Sequence, residues 1–280
     1  MKIKPIHLVI GGAILVAAIY FFAKTTAPVK TDFVAGGHPM PEAKPAMTLD
    51  LSNIIAQAKN NLQPSQSKMV DSLSQQLSTA NAAEKIILLK KLIAVWQQNG
   101  SKIISAEYTK QLAEATSQPS DFANAGAMLT DAFENAADSN LRKSLCDEAF
   151  GTLQRAIELD TNNIDNKVNM AALLMEGKGQ VMDGVPILLG IVKKSPNNLK
   201  ANFVLAKFAV VSGQFDKAII RLKKIISLNP TYTDAYLTLA NAYAQKGEMA
   251  NAKATLQQCE QHLQDEKAKA EVKKLIEKFN

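Results

Sequence analysis

Residues that do chemistry are scarce in this chain. Its 280 residues include three histidines, two cysteines and one tryptophan, and aromatics make up 6%. His7 falls in an apolar run, His38 in a proline-rich stretch and His262 near a helix end. Nucleophile elbows, phosphate loops and HExxH pairs are missing, and carboxylates lie scattered on solvated faces. The chain therefore reads as a non-enzyme, with no cofactor or metal implied. Cys146 and Cys259 are far apart and show no CxxC or Cys/His spacing, so neither a redox pair nor a metal site is suggested. Each falls in a helical pattern and reads as a small buried hydrophobe. An excess of one charge is also lacking. The net charge of +6 comes from 32 basic and 26 acidic residues, mixed along the chain, so no nucleic-acid partner is expected.

Alanine, leucine, isoleucine and lysine are abundant, a balance that suits an all-helical fold. From Ile6 to Ala23 (IHLVIGGAILVAAIYFFA) the chain is apolar for long enough to make roughly 27 Å of helix, near the thickness of a bilayer core. Lys2 and Lys4 precede the run, Lys24 follows it, and His7 and Tyr20 sit at its ends, where polar tips reach the interface. A cleavable signal peptide shares the charged start and apolar middle. The run is long for that role, however, and no clean small-x-small site follows it. Residues 1–24 are accordingly read as a single transmembrane anchor. The positive N-terminus argues for N-in, although Lys24 and Lys30 nearly balance it, and this places the soluble part outside the cytoplasm, as in a periplasm. Residues 25–47 carry Pro28, Gly36, Gly37, Pro39, Pro41 and Pro45 without an apolar period, and read as a stiff linker.

The informative part begins at Asp165, where the sequence repeats at 34 residues. Segments opening at Asp165, Leu199 and Thr233 align Ala171, Leu205 and Leu239, then Ala172, Ala206 and Ala240. Met175, Ala209 and Tyr243 follow, then Gly179, Gly213 and Gly247. In the second half Gly184, Ala218 and Ala252 coincide, as do Leu188, Leu222 and Leu256, and Ile191, Ile225 and Cys259. Pro196 and Pro230 close the first two units. This pattern resembles the tetratricopeptide repeat, a helix-turn-helix unit of 34 residues. Small residues allow its two helices to approach, glycine takes the turn between them, and proline stops the second helix. Pro186 departs from the pattern. With Asp183 as N-cap it would fall in a first turn, where proline is tolerated, and the Asp165 hairpin is expected to be the least regular.

Upstream, Phe122, Ala125, Gly126, Leu129, Ala149, Leu153 and Ala156 fit one degenerate repeat over residues 119–164, with ENAADSNLRKSLCDE inserted between its halves. Leu89, Leu92, Ile93, Trp96 and Gly100 resemble another first helix and turn, with Ser101 to Ser117 as partner. Together with two plainer amphipathic segments these fill a helical region, 48–118. Three units span 165–264. Residues 265–280 make one amphipathic capping helix, with i,i+4 pairs Asp265/Lys269, Lys267/Glu271 and Lys273/Glu277 expected on its wet side.

The resemblance implies an all-α superhelix of stacked antiparallel hairpins whose first helices line a concave groove for a protein or peptide. Carried over by position, the groove residues are Asn166, Asn169, Leu173 and Glu176; Lys200, Phe203, Lys207 and Val210; and Asp234, Leu237, Asn241 and Ala244. The carboxylate clamp of the chaperone-tail-binding members is missing, because Asn169 and Leu173 stand where Lys and Asn would be needed. The expected role is a membrane-tethered adaptor or scaffold of bacterial type, with self-association also implied. Alternatives are an organelle import receptor, a helper of cytochrome c maturation, or a structural subunit buried permanently in a larger complex.

Overall fold

The structure is a computed structural model and describes residues 50–278. The apolar run read as an anchor and the proline-rich linker lie outside the described residues. Among the described residues there is no strand, and no helix is long and apolar enough to cross a membrane. Thirteen α-helices follow one another among the described residues. They are α1 (Leu51–Lys59), α2 (Pro64–Thr79), α3 (Ala82–Gln98), α4 (Lys102–Thr116), α5 (Pro119–Asn135), α6 (Ser139–Leu159), α7 (Ile164–Ala172), α8 (Val181–Lys194), α9 (Leu199–Val211), α10 (Phe215–Leu228), α11 (Thr233–Lys246), α12 (Met249–His262) and α13 (Glu266–Glu277). A π-helical turn, Leu173–Gly177, continues α7.

Local chemistry sets most of these limits. Asn81 caps α3 by accepting from the Ala83 and Glu84 amides, while Glu84 accepts from the Asn81 amide, a reciprocal arrangement that satisfies otherwise orphaned donors. Asp138, Asn163, Asn198 and Asp265 cap α6, α7, α9 and α13 in the same way, each accepting from the amide three residues on. At the other ends, Gly100, Gly179, Gly213 and Gly247 have φ of 70°, 68°, 73° and 89°, a conformation cheap only for glycine. The Gln214 amide donates to Ala209 and the Glu248 amide to Tyr243, at 2.7 and 2.8 Å, which closes the last turn of α9 and α11 in the same manner.

Successive helices pair as antiparallel hairpins: α3 with α4, α5 with α6, α7 with α8, α9 with α10 and α11 with α12. The insertion between residues 119 and 164 lengthens α6 most, to 21 residues. Each hairpin buries an apolar seam. Leu222, Ala218, Ile225, Tyr236, Leu239 and Leu256 form one continuous core with Cys259, while Leu129, Leu145, Leu153 and Leu173 form another with Cys146. Both cysteines are free and buried. Polar contacts tie the two helices of the α9–α10 hairpin to each other and to the turn before it. Arg221 on α10 donates to Asn202 Oδ1 at 2.8 Å, and Asn202 Nδ2 donates to the carbonyls of Pro196 and Asn198.

Two details differ from the repeat as read from sequence. The caps Asn163 and Asn198 are 35 residues apart and Asn198 and Tyr232 are 34 apart, whereas the three turn glycines recur every 34. One extra residue therefore lies between Asn163 and Gly179, and the π turn absorbs it. The bond closing this turn runs from the Gln180 amide to Leu174, six residues back instead of five. Upstream of the π turn the counterpart of Leu199 is thus Ile164, not Asp165. Pro186 also lies deeper than expected. Gln180, not Asp183, is the N-cap of α8, so the proline is interior to the helix. The missing amide deprives the Met182 carbonyl of its helical partner at an exposed edge, where water can substitute.

Both irregularities fall in the α7–α8 hairpin, whose two halves approach closely at Gly184. A Cβ on Gly184 would lie 2.4 Å from Met175 Cγ and 2.7 Å from the Ala171 carbonyl oxygen. A methionine side chain can yield; a helix carbonyl cannot. Gly184→Ala should gain helix propensity of about 1 kcal/mol and lose about 1–3 kcal/mol to overpacking. A lowered thermal midpoint is the expected result, although alanine stands at the equivalent positions 218 and 252. An unchanged or raised midpoint would mean that the hairpin is looser than described.

Candidate partner-binding face

The first helices of consecutive hairpins touch directly: α5 with α7, α7 with α9, and α9 with α11. Their free sides thereby join into one surface. Lys207 on α9 marks the seam. Its Nζ lies 3.0 Å from Glu176 Oε1 in the π turn and 3.7 Å from Glu134 Oε1 at the end of α5. All three side chains keep a quarter or more of their surface in solvent, so the pairs contribute at most about 1 kcal/mol each. Their main effect is to hold the ends of three helices together. Beside them Phe203 meets Tyr232 with ring centroids 5.1 Å apart and a 47° tilt. Both rings are half-buried against the same core as Leu237 and Ala244. Burial pushes the Tyr232 hydroxyl pKa up, and the charges of Asp234 and Glu134 add to it, so the acidic end of α5 lies within electrostatic reach of the turn before α11.

The expected groove residues divide into two sets. Glu176, Lys200, Phe203, Lys207, Asp234, Leu237, Asn241 and Ala244 are exposed or half-buried. Asn241 Oδ1 accepts from Gln245 Nε2 at 3.0 Å, leaving its amide nitrogen available. Asn166, Asn169, Leu173 and Val210 are corrections. Their exposures are 2%, 4%, 0% and 4%, too little to meet a ligand. For Asn166 and Asn169 the cause is the one-residue slip: they take the places of buried Ala201 and Val204, while Asp165 and Val168 take those of Lys200 and Phe203. Leu173 opens the π turn and is drawn into the core. Two members of the face were not anticipated. Tyr232 precedes its helix, and Glu134 belongs to the degenerate repeat, so counting positions along well-matched first helices reaches neither.

No cluster of three or more histidine, cysteine or carboxylate side chains suited to a metal ion occurs among the described residues.

Paired helices stacked in this way define a helical-hairpin repeat protein. Residues 209–278 match the family profile of the tetratricopeptide repeat. A human protein, tetratricopeptide repeat protein 21B, is 29% identical over 75 residues, which is 27% of this chain and 6% of that protein. The chain thus spans a small fraction of the curated relative it matches. Among solved structures, MamA from Desulfovibrio magneticus RS-1 (residues 41 to its end) has a TM-score of 0.44 at 18% identity, over 64% of this chain and 94% of that one. PilW, described as a type IV pilus biogenesis factor, has a TM-score of 0.49 at 14% identity over 65% and 79%. YrrB, described as a tetratricopeptide-repeat protein with an unusual peptide-binding site, has a TM-score of 0.41 at 16% identity over 72% and 97%.

Proposed function

We propose that this chain is a membrane-tethered adaptor whose first-helix face holds a protein or peptide and so organises a complex at the membrane surface. The observation that carries the reading is the continuity of α5, α7, α9 and α11. Within this row α9, α11 and the π turn that continues α7 offer apolar Phe203 and Leu237 beside polar Lys200, Lys207, Asn241 and Glu176. A rigid surface of this kind suits an extended peptide or an amphipathic helix, which needs apolar anchors flanked by groups that fix its direction. The tether rests on the Ile6–Ala23 run, and the run's positive N-terminal flank favours an extracytoplasmic adaptor domain.

Photo-crosslinking side chains placed at Phe203 and Asn241 in the full chain, in its native cells, test this directly. A discrete partner should be captured there, and not from exposed Met182 or Ile220 on second helices. Lys200→Glu with Lys207→Glu should cut that capture at least about tenfold. It should move the thermal midpoint little, because exposed pairs contribute little to stability. Capture that persists in this variant, or that maps only to α1–α4, contradicts the reading.

A further inference from the structure

A second surface lies away from the first-helix face. Second helices α10 and α12 flank the outer side of α11 and leave a cavity of about 470 Å³ between them, within the range of small-molecule sites. We propose that this cavity binds a carboxylate carried on a flat or apolar stem.

Tyr236 supplies the strongest indication. It lines the cavity and is 1% exposed, yet its hydroxyl finds no hydrogen-bond partner among the described residues. A buried hydroxyl without a partner carries an uncompensated desolvation cost, and an acceptor entering from the cavity would remove it. Burial pushes the Tyr236 pKa up, which keeps the hydroxyl a donor.

Lys223 on α10 gives the site its sign. The amine lies 5.7 Å from the centroid of the Tyr243 ring and forms no ion pair among the described residues. No carboxylate stands among the residues lining the cavity. The nearby acid on α12, Glu260, is turned to Lys273 on α13 at 3.5 Å. Gln258 and His262 add polar groups from α12. The Thr255 hydroxyl already donates a hydrogen bond to the Asn251 carbonyl at 2.7 Å.

The walls fit the stem. The rings of Tyr236 and His262 lie 5.9 Å apart with a 33° tilt, and Ile226 and Leu239 complete an apolar lining. An anionic head reaching Lys223 and the Tyr236 hydroxyl would leave its stem against these surfaces, where apolar contact adds affinity in proportion to the area buried. The two sources of such chemistry are a free small acid and the C-terminal residue of a peptide.

The test uses the full chain and 4-fluorophenylacetate, followed by fluorine NMR, with 4-fluorophenylacetamide as the uncharged counterpart. The acid should bind at least about tenfold more tightly than the amide. Tyr236→Phe and Lys223→Gln should each weaken the acid about three- to tenfold, and Tyr236→Phe should leave the thermal midpoint equal or higher, since it removes the orphaned hydroxyl. Lys207→Gln, on the first-helix face, should leave binding of the acid unchanged, so failure here is separate from failure of the adaptor reading. The peptide acetyl-Gly-Gly-Phe, as free acid, assigns the source: tighter binding than the small acid points to a chain end, equal binding to a metabolite-sized acid. No binding of the acid, equal binding of acid and amide, or wild-type binding by both cavity variants would overturn the proposal.

Discussion

Trp96→Ala should remove about 3–5 kcal/mol from the N-terminal part of the stack, the usual cost of emptying a fully buried tryptophan site. Trp96 is 0% exposed and sits in α3 among Leu89, Leu92, Val70, Ile104 and Tyr108. Because each hairpin contacts mainly its neighbours, the damage should stay local. Hydrogen exchange should accelerate across α1–α4 while α9–α12 keep their protection. The Trp96 Nε1 has no partner in this core, so Trp96→Phe, which deletes that buried donor along with part of the ring, should cost markedly less than Trp96→Ala. Uniform loss of protection along the whole chain would show that the hairpins unfold as one unit.

Glu107 provides the second large effect. It lies on α4 at 7% exposure with Oε1 unpartnered. Burial raises its pKa from 4.5 to about 7; Lys110 pulls it back, and Glu148 and Glu114 push it further up. Lys110 is held in an ion pair by Glu148 on α6 and so cannot fully serve Glu107. The folded chain keeps this proton up to about pH 7, while the unfolded chain releases it near 4.5. The stabilisation is complete below pH 4.5 and is lost as the pH rises through 7, so stability should fall by about 3 kcal/mol across that window from this residue alone. Glu107→Gln, which cannot ionise, should flatten the profile and make the protein more stable than wild type at pH 8. Parallel profiles for the two proteins would mean that the carboxyl is solvated.

The architecture was readable wherever one residue type answers one physical demand. Gly179, Gly213 and Gly247 stand where the backbone turns with positive φ, and Ala218 and Ala252 stand where helices touch. The inserted residue in α7 was not readable. A π turn has no composition of its own, and the 34-residue glycine spacing conceals an offset that begins and ends within one helix. That offset sent Asn166 and Asn169 into the core, whereas the start of α8 keeps the register, its N-cap Gln180 lying 34 residues before Gln214 and 68 before Glu248. Partner choice among charges was equally hidden. On α13, Lys269 pairs with Glu266 and Lys273 with Glu260 of α12, in place of the expected Asp265/Lys269 and Lys273/Glu277, because docking on α12 brings a nearer acid to Lys273. The cavity beside Tyr236 needed three helices in place before it existed.

The shared face requires neighbouring first helices to lie side by side, with α5, α7 and α9 in the stated register. Zero-length carbodiimide coupling of the full chain, read by mass spectrometry, examines this without any substitution. An amide between Lys207 and Glu176, with a weaker product to Glu134, is the predicted result, alongside the Lys102–Asp131 link between neighbouring helices α4 and α5 at 2.9 Å. If Lys102–Asp131 forms and Lys207 joins to neither glutamate, the shared face does not exist as described.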